Sequence, residues 1–136
     1  MATYLADKSA LVRVGSKGAE WLTTEIMEGN VRRSSMTDLE IFFSATRHHA
    51  LLEIIEERRA AFRLVDTDQQ DWDRATEVLV LLAENGKHRS VGIPDLLIAA
   101  VAERHSLTLV HYDSDFDHVA TVTGQATRWL APRGTW

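Results

Sequence analysis

The sequence contains no cysteine, which removes disulfides, thiolate nucleophiles and zinc–thiolate sites together. A reducing compartment fits that absence. Long apolar runs are missing too. The richest stretches, Val78–Ala83 and Leu96–Ala102, fall far below the length that spans a bilayer. The opening residues, Met1 to Asp7, reach an acid before a signal-like apolar region forms. A cytoplasmic protein with no membrane partner is therefore expected. The chain also lacks a basic surplus: 15 Lys and Arg stand against 20 Asp and Glu, a formal net charge of −5. That balance weighs against a protein that coats nucleic acid, but not against an enzyme that places carboxylates at a metal and basic residues around it. Only two prolines interrupt the chain, and no repeat or low-complexity segment is visible. Its 136 residues are expected to form one domain, residues 1–136. A hydrophobic fraction of 45% is enough for a core without staples.

Residues 2–6 read as a short strand ending at Asp7, and Lys8 to Val14 as one to two helical turns before Gly15. Trp21, Leu22, Ile26 and Met27 recur near a helical period between Gly18 and Gly29. Asn30–Ser35 has weak strand character. A helix is predicted from Thr37, and a second helical stretch continues to Ala60. Phe62–Val65 alternates as a strand, and Asp66-Thr67-Asp68 offers caps for a helix over 69–84. Trp72, Ala75, Val78, Leu79 and Leu82 form the expected buried stripe of that helix, and Asn85-Gly86 stops it. Pro94 suits the first turn of the next helix, Asp95 to His105, which is apolar on nearly all sides and so central. Leu107–Tyr112 reads as an interior strand ending at Asp113. A short helix to Val122 and a strand near Thr127–Leu130 close the chain. Strand–helices–strand–helices–strand–helix–strand implies an α/β fold with a mostly parallel sheet.

In such sheets ligands sit beyond the carboxyl ends of the strands. Asp7 and Asp113 stand just past two strand ends. Glu40 and Asp95 open two helices whose N-termini, with right-handed crossovers, face the same edge. Carboxylates brought together there repel, and at least one pKa rises unless cations neutralise them. Hard oxygen ligands suit magnesium or manganese, which activate water and stabilise charge on a phosphate. Helix N-termini would help to keep Asp7, Glu40 and Asp95 ionised. Each acid also has a structural explanation. Asp7 and Asp113 suit helix caps, and Thr37-Asp38-Leu39-Glu40 matches a capping box. Asp95, Asp115 and Asp117 suit first helical turns. The pattern argues jointly, because Glu40 and Asp95 adjoin strongly apolar helices.

Four segments resemble the motifs of PIN domains, particularly the VapC toxins. These are Tyr4-Leu5-Ala6-Asp7-Lys8-Ser9-Ala10-Leu11, Thr37-Asp38-Leu39-Glu40, Val91 to Ala100 around Asp95, and His111-Tyr112-Asp113-Ser114-Asp115-Phe116. They fall in order along nearly the whole chain. The resemblance implies a three-layer α/β/α fold and magnesium- or manganese-dependent endonuclease action on RNA, transfer or ribosomal RNA above all. Asp7, Glu40, Asp95 and Asp113 would take the four acidic places and Asp115 a fifth, with Ser9 supporting the first acid. It also implies a VapB-like antitoxin as partner and assembly as a homodimer, then as a hetero-oligomer with the antitoxin. Where many relatives carry Thr or Ser two places before the fourth acid, this chain has His111.

Lys87, His88 and Arg89 shortly precede Asp95, and Arg13 and Lys17 follow Asp7. Positive charge there would attract a phosphate backbone, with Arg13, Lys87 and Arg89 (and Ser9) as candidate substrate contacts. An ordinary polar loop is the competing reading. Arg32-Arg33 and the run Glu53, Glu56, Glu57, Arg58, Arg59 read as surface. The six histidines lack metal-site spacing and read as structural. Apolar residues around Phe42 and Phe43 are many for one helix with one core; a dimer would bury the surplus, and core packing alone is the simpler explanation. A rival class, a receiver-like phospho-acceptor domain, would want paired acids after the first strand and a lysine near the last. Asp7 stands alone, and Lys87 is the last lysine. Asp113-Ser114-Asp115 suggests a haloacid-dehalogenase-type phosphatase, but lies at the wrong end of the chain. A PIN-like module that binds RNA or protein without cutting is the third reading.

Overall fold

A computed structural model describes residues 3–136; Ala2, placed above in the first strand, lies outside the described residues. Among the described residues five parallel strands form the sheet: β1 Tyr4–Ala6, β2 Val31–Arg33, β3 Arg63–Leu64, β4 Thr108–His111 and β5 Thr127–Trp129. Their spatial order is β3-β2-β1-β4-β5. Each is four residues or shorter, so strand pairing contributes little alone and the helices must hold the sheet. The helices are α1 Lys8–Leu11, α2 Glu20–Met27, α3 Ser35–Phe43, α4 His48–Ala61, α5 Gln69–Glu84, α6 Ile93–Arg104 and α7 Asp115–Thr123.

Strand alternation explains the layers. Tyr4 and Ala6 of β1 point into a cluster with Ala10, Ala19, Leu22, Val31, Val110 and Leu130. Leu5 points the other way, among Val78, Leu82, Ile98, Val101, Leu109, Phe116 and Val119. Successive side chains on a strand face opposite ways, so three residues of β1 serve two cores. α1 and α2 cover the first face, and α5, α6 and α7 cover the second. α6 is buried from Leu96 to Ala102, as its all-round apolar sequence requires.

The strand at 31–33 is a full member of the sheet, pairing with β1 and β3, where the sequence showed only weak strand character. The charge of Arg33 obscured it. That charge is neutralised within the fold, because Arg33 Nη1 donates to Asp38 Oδ2 at 2.5 Å. From the other side Arg58 Nε donates to Asp38 Oδ1 at 2.7 Å. Arg33, Asp38 and Arg58 thus tie β2, α3 and α4 together, with Asp38 and Arg58 both buried. The surface readings of Arg33 and Arg58 are corrected accordingly. The helix at Glu40 also begins earlier than predicted. Ser34 caps α3, its Oγ accepting from the Thr37 N–H at 3.3 Å. Glu40 is therefore the sixth residue of α3, outside the reach of a capping box. On α5 the buried stripe is narrower than the periodicity suggested: Val78 and Leu82 are buried, while Trp72 and Leu79 are 47% and 37% exposed.

The start of α5 carries a capping box: Gln70 N–H donates to Asp68 Oδ1 at 2.9 Å and Asp68 N–H donates to Asp71 Oδ2 at 3.0 Å. Asp71 also receives Arg104 Nε at 2.8 Å. Burial pushes the Asp71 carboxyl up, but the Arg104 and Asp68 hydrogen bonds outweigh it, and its pKa lies below 3.8. A depressed carboxyl pKa gives stability that is complete above the unfolded value and lost as pH falls through the folded one. Asp71→Asn is expected to cost about 2 kcal/mol at neutral pH and to flatten the acid limb of the stability curve below pH about 4. Melting temperatures across that range check this, and an unchanged acid limb would contradict it.

Candidate active site

The sheet order reverses between β1 and β4, because the chain builds β2 and β3 outward on one side of β1 and then crosses to the other. Parallel sheets bind ligands at such a reversal, here the carboxyl ends of β1 and β4. Asp7 stands at the end of β1, its N–H donating to Val110 O of β4 at 2.9 Å. Asp113 stands two residues beyond β4. α6 presents Asp95 in its first turn, and α3 presents Glu40 from its middle.

These acids fall into two groups. Asp7, Glu40 and Asp95 each offer an oxygen within 4.8 Å of the others, and so do Asp95, Asp113 and Asp115. Asp95 belongs to both. Its carboxyl is raised to about 7, first by burial and then by the charges of Asp7, Glu40, Asp113 and Asp115. Glu40 is raised by burial and by Asp7, against the lowering effect of Lys8. Asp115 is raised by burial and Asp113, with His118 opposing. Crowding and desolvation therefore win over the helix dipole that was expected to keep Glu40 and Asp95 ionised. Among the described residues, Glu40 Oε1 is buried without a hydrogen-bond partner. An orphaned carboxylate oxygen beside like charges is costly unless a cation meets it. The donor set, all carboxylate oxygens, is the hard type that magnesium and manganese take.

Ser9 fixes the first acid. Its N–H and Oγ both donate to Asp7 Oδ2, at 3.0 and 2.6 Å. The same Oγ accepts the Tyr112 N–H at 2.9 Å, so it ties Asp7 to the strand end that carries Asp113. Asp7 thus caps α1 and belongs to the first acidic group at once. Outer partners of this kind commonly alter cation affinity or activity about 10–100-fold when removed. Ser9→Ala should lose manganese affinity by that order in titration calorimetry, and unchanged affinity would contradict the role.

Other expected residues fall differently. Arg13 donates through Nη1 to Ser9 O at 2.6 Å and lies 4.4 Å over the Tyr112 ring, so it is anchored beside the site. Lys87 lines a hollow against the later turns of α7 with His118, Thr121 and Val122, and Arg89 is exposed. Asp117 accepts from Trp129 Nε1 at 3.0 Å and lies outside both acidic groups. His111 is fully buried between Phe116 and Trp129. Its Nδ1 accepts the Asp113 N–H at 3.2 Å, and Nε2 is buried without a partner among the described residues. Burial holds its pKa below 6.5 despite the nearby acids, so it is a neutral ring that braces the Asp113 turn. Lys8, whose charge lowers Glu40, was not singled out in the sequence, where it looks like any first-turn lysine.

The PIN domain family model matches residues 4–122, the span that carries every one of these acids. The chain belongs to the PIN-domain family. Ribonuclease VapC21 of Mycobacterium tuberculosis is 41% identical to this PIN domain over 133 residues, covering 97% of this chain and 96% of that protein. Ribonuclease VapC2 of the same species is 44% identical over 132 residues, covering 96% and 94%. Among solved structures, DNA-bound VapBC from Salmonella typhimurium superposes with a TM-score of 0.77 at 18% identity, covering 96% of this chain and 100% of that one. VapBC-5 from Mycobacterium tuberculosis gives 0.66 at 24%, covering 95% and 98%. At such identities the structural likeness speaks for the α/β/α PIN fold, with its parallel central sheet.

Proposed function

We propose that this PIN domain is an endoribonuclease of the VapC kind, dependent on magnesium or manganese, and the toxin of a toxin–antitoxin pair. The observation that carries the reading is the pair of acidic groups sharing Asp95, at the one sheet edge where a parallel α/β fold binds ligands. The near full-length identity to proteins named ribonuclease VapC supports RNA as the substrate. Asp7, Glu40 and Asp95 would hold one cation, and Asp95, Asp113 and Asp115 a second, Asp95 being common to both groups. Bound there, such ions supply positive charge toward a phosphate and ease ionisation of water at neutral pH. The chain's own residues do the rest. Ser9 holds Asp7 at one angle, and the His111 ring braces the turn of Asp113. The Glu40 oxygen that has no partner among the described residues is one that a cation could take. Arg13, anchored beside the site, would add charge toward the substrate's phosphates.

The VapBC structures support a VapB-like antitoxin as partner. This chain offers apolar surface for such partners. A groove of about 380 Å³ is lined by Leu11, Val12, Val14, Ile26, Ile41 and Ile54, and Leu39 and Phe43 are 62% and 92% exposed. An antitoxin helix and a second copy of the chain are the proposed occupants. No described helix is long and apolar enough to cross a membrane.

Incubating the purified chain with transfer and ribosomal RNA tests the reading. Cleavage should need magnesium or manganese and stop with chelator; intact RNA under all conditions would favour the non-cleaving module instead. Co-purification of a neighbour-encoded small protein that blocks cleavage is the expected sign of the antitoxin.

A further inference from the structure

Around Tyr112, just past β4, lies an aromatic cluster that the proposed chemistry does not use. Trp136 packs on Tyr112 with ring centres 5.1 Å apart, and Tyr112 packs on Trp129 at 5.5 Å. The Arg13 guanidinium sits 4.4 Å over Tyr112 and 6.0 Å from the Trp136 ring. Trp136 N–H donates to the Tyr112 hydroxyl at 3.2 Å, and the far edge of its ring lies beside Gly18. Trp136 is thus held in place, yet it remains 44% exposed. Tyr112 lies next to Asp113 in the chain, and its N–H reaches Asp7 through the Ser9 hydroxyl. A ring built on Tyr112 therefore stands at a fixed place relative to two of the acids.

We infer that Trp136, backed by Tyr112 and Arg13, is a stacking seat for an unpaired RNA base next to the cleaved phosphate. The inference rests on the ribonuclease reading of the acidic site. A domain of net charge −5 gains little from general attraction to phosphate. Stacking on an aromatic face compensates without needing a particular base, because every base has such a face. Arg13 adds one positive charge, stacked on the Tyr112 ring behind the seat. A paired base inside an RNA helix cannot reach the ring, so the seat favours loops and single strands.

The test uses the full chain carrying Asp95→Asn, so that bound RNA survives. Binding is measured for a twelve-nucleotide oligoadenylate and for a base-free ribose-phosphate chain of equal length. The parent should prefer the oligoadenylate by a factor on the order of 5–100, the usual range for one stacked base. Adding Trp136→Ala should erase that preference, while Trp136→Phe should keep most of it with an unchanged fold. Equal affinity for both chains in the parent, or a preference that survives Trp136→Ala, would overturn the seat. Cleavage by the wild type is scored separately. Cleavage without a Trp136-dependent preference removes the seat alone. A Trp136-dependent preference without wild-type cleavage keeps the seat and removes the nuclease.

Discussion

Asp95→Asn should abolish RNA cleavage and, in chelator, make the protein more stable. Asp95 is common to both acidic groups, so losing its charge would weaken both proposed cation sites at once. A loss on the order of 1,000-fold or more is expected, as for other groups that position charge at a reacting centre. The stability change has the opposite sign. The Asp95 pKa of about 7 stands above its ordinary 3.8, because burial and four neighbouring acids disfavour its charge. A raised carboxyl pKa means that the folded state holds a proton which the unfolded chain has released. The ion-free protein should accordingly lose stability as pH rises from about 4 to about 7. Asparagine has no charge to lose, so the variant's melting temperature in chelator should exceed the wild type's at pH 8 and vary less with pH. Added manganese should raise the wild type's melting temperature more than the variant's. A variant less stable than wild type in chelator would show that Asp95 serves the fold rather than the site.

The largest stability loss is expected from Asp38→Ala. Its carboxylate is the shared acceptor for Arg33 and Arg58, whose side chains are 13% and 8% exposed. Removing it leaves two guanidiniums with little water and no counter-charge, a change that typically costs about 3–5 kcal/mol. For a chain of this size that is a fall of roughly 10–20 °C in melting temperature. Arg58 is already pulled down by burial, with Asp38 as the group that holds it charged. Asp73→Ala, on the exposed face of α5, is the control and should move stability by less than about 0.5 kcal/mol. Because Asp38 lies two residues before Glu40 on α3, its loss should also weaken manganese binding. A melting temperature within a few degrees of wild type would mean that the two arginines find other partners.

What the sequence showed, and what it hid, follows from the range of each signal. Asp7 and Asp113 were legible because a strand ending in an acid leaves a local trace, and a parallel sheet sends such ends to one edge. Asp95 was legible from Pro94 before it and the apolar helix after it. Glu40 was found by resemblance, while its local pattern misled. Thr37-Asp38-Leu39-Glu40 looks like a helix start, but Ser34 already caps α3 one turn earlier. The same pattern hid Asp38, whose partner Arg58 is twenty residues away inside a run of Glu and Arg. Trp72 and Leu79 show the limit of periodicity, which marks an apolar stripe but not how wide a strip the neighbouring helix covers. The Arg13–Tyr112–Trp136 cluster was out of reach altogether, since it joins three distant segments through ring packing.

Mapping the RNA ends produced by wild type and by Asp95→Asn, each with manganese and with chelator, tests most directly whether the acids around Asp95 cut RNA internally with the help of divalent cations. Discrete internal ends should arise from the wild type with manganese and from none of the other three reactions. The same ends from Asp95→Asn, or from the wild type in chelator, would contradict the account.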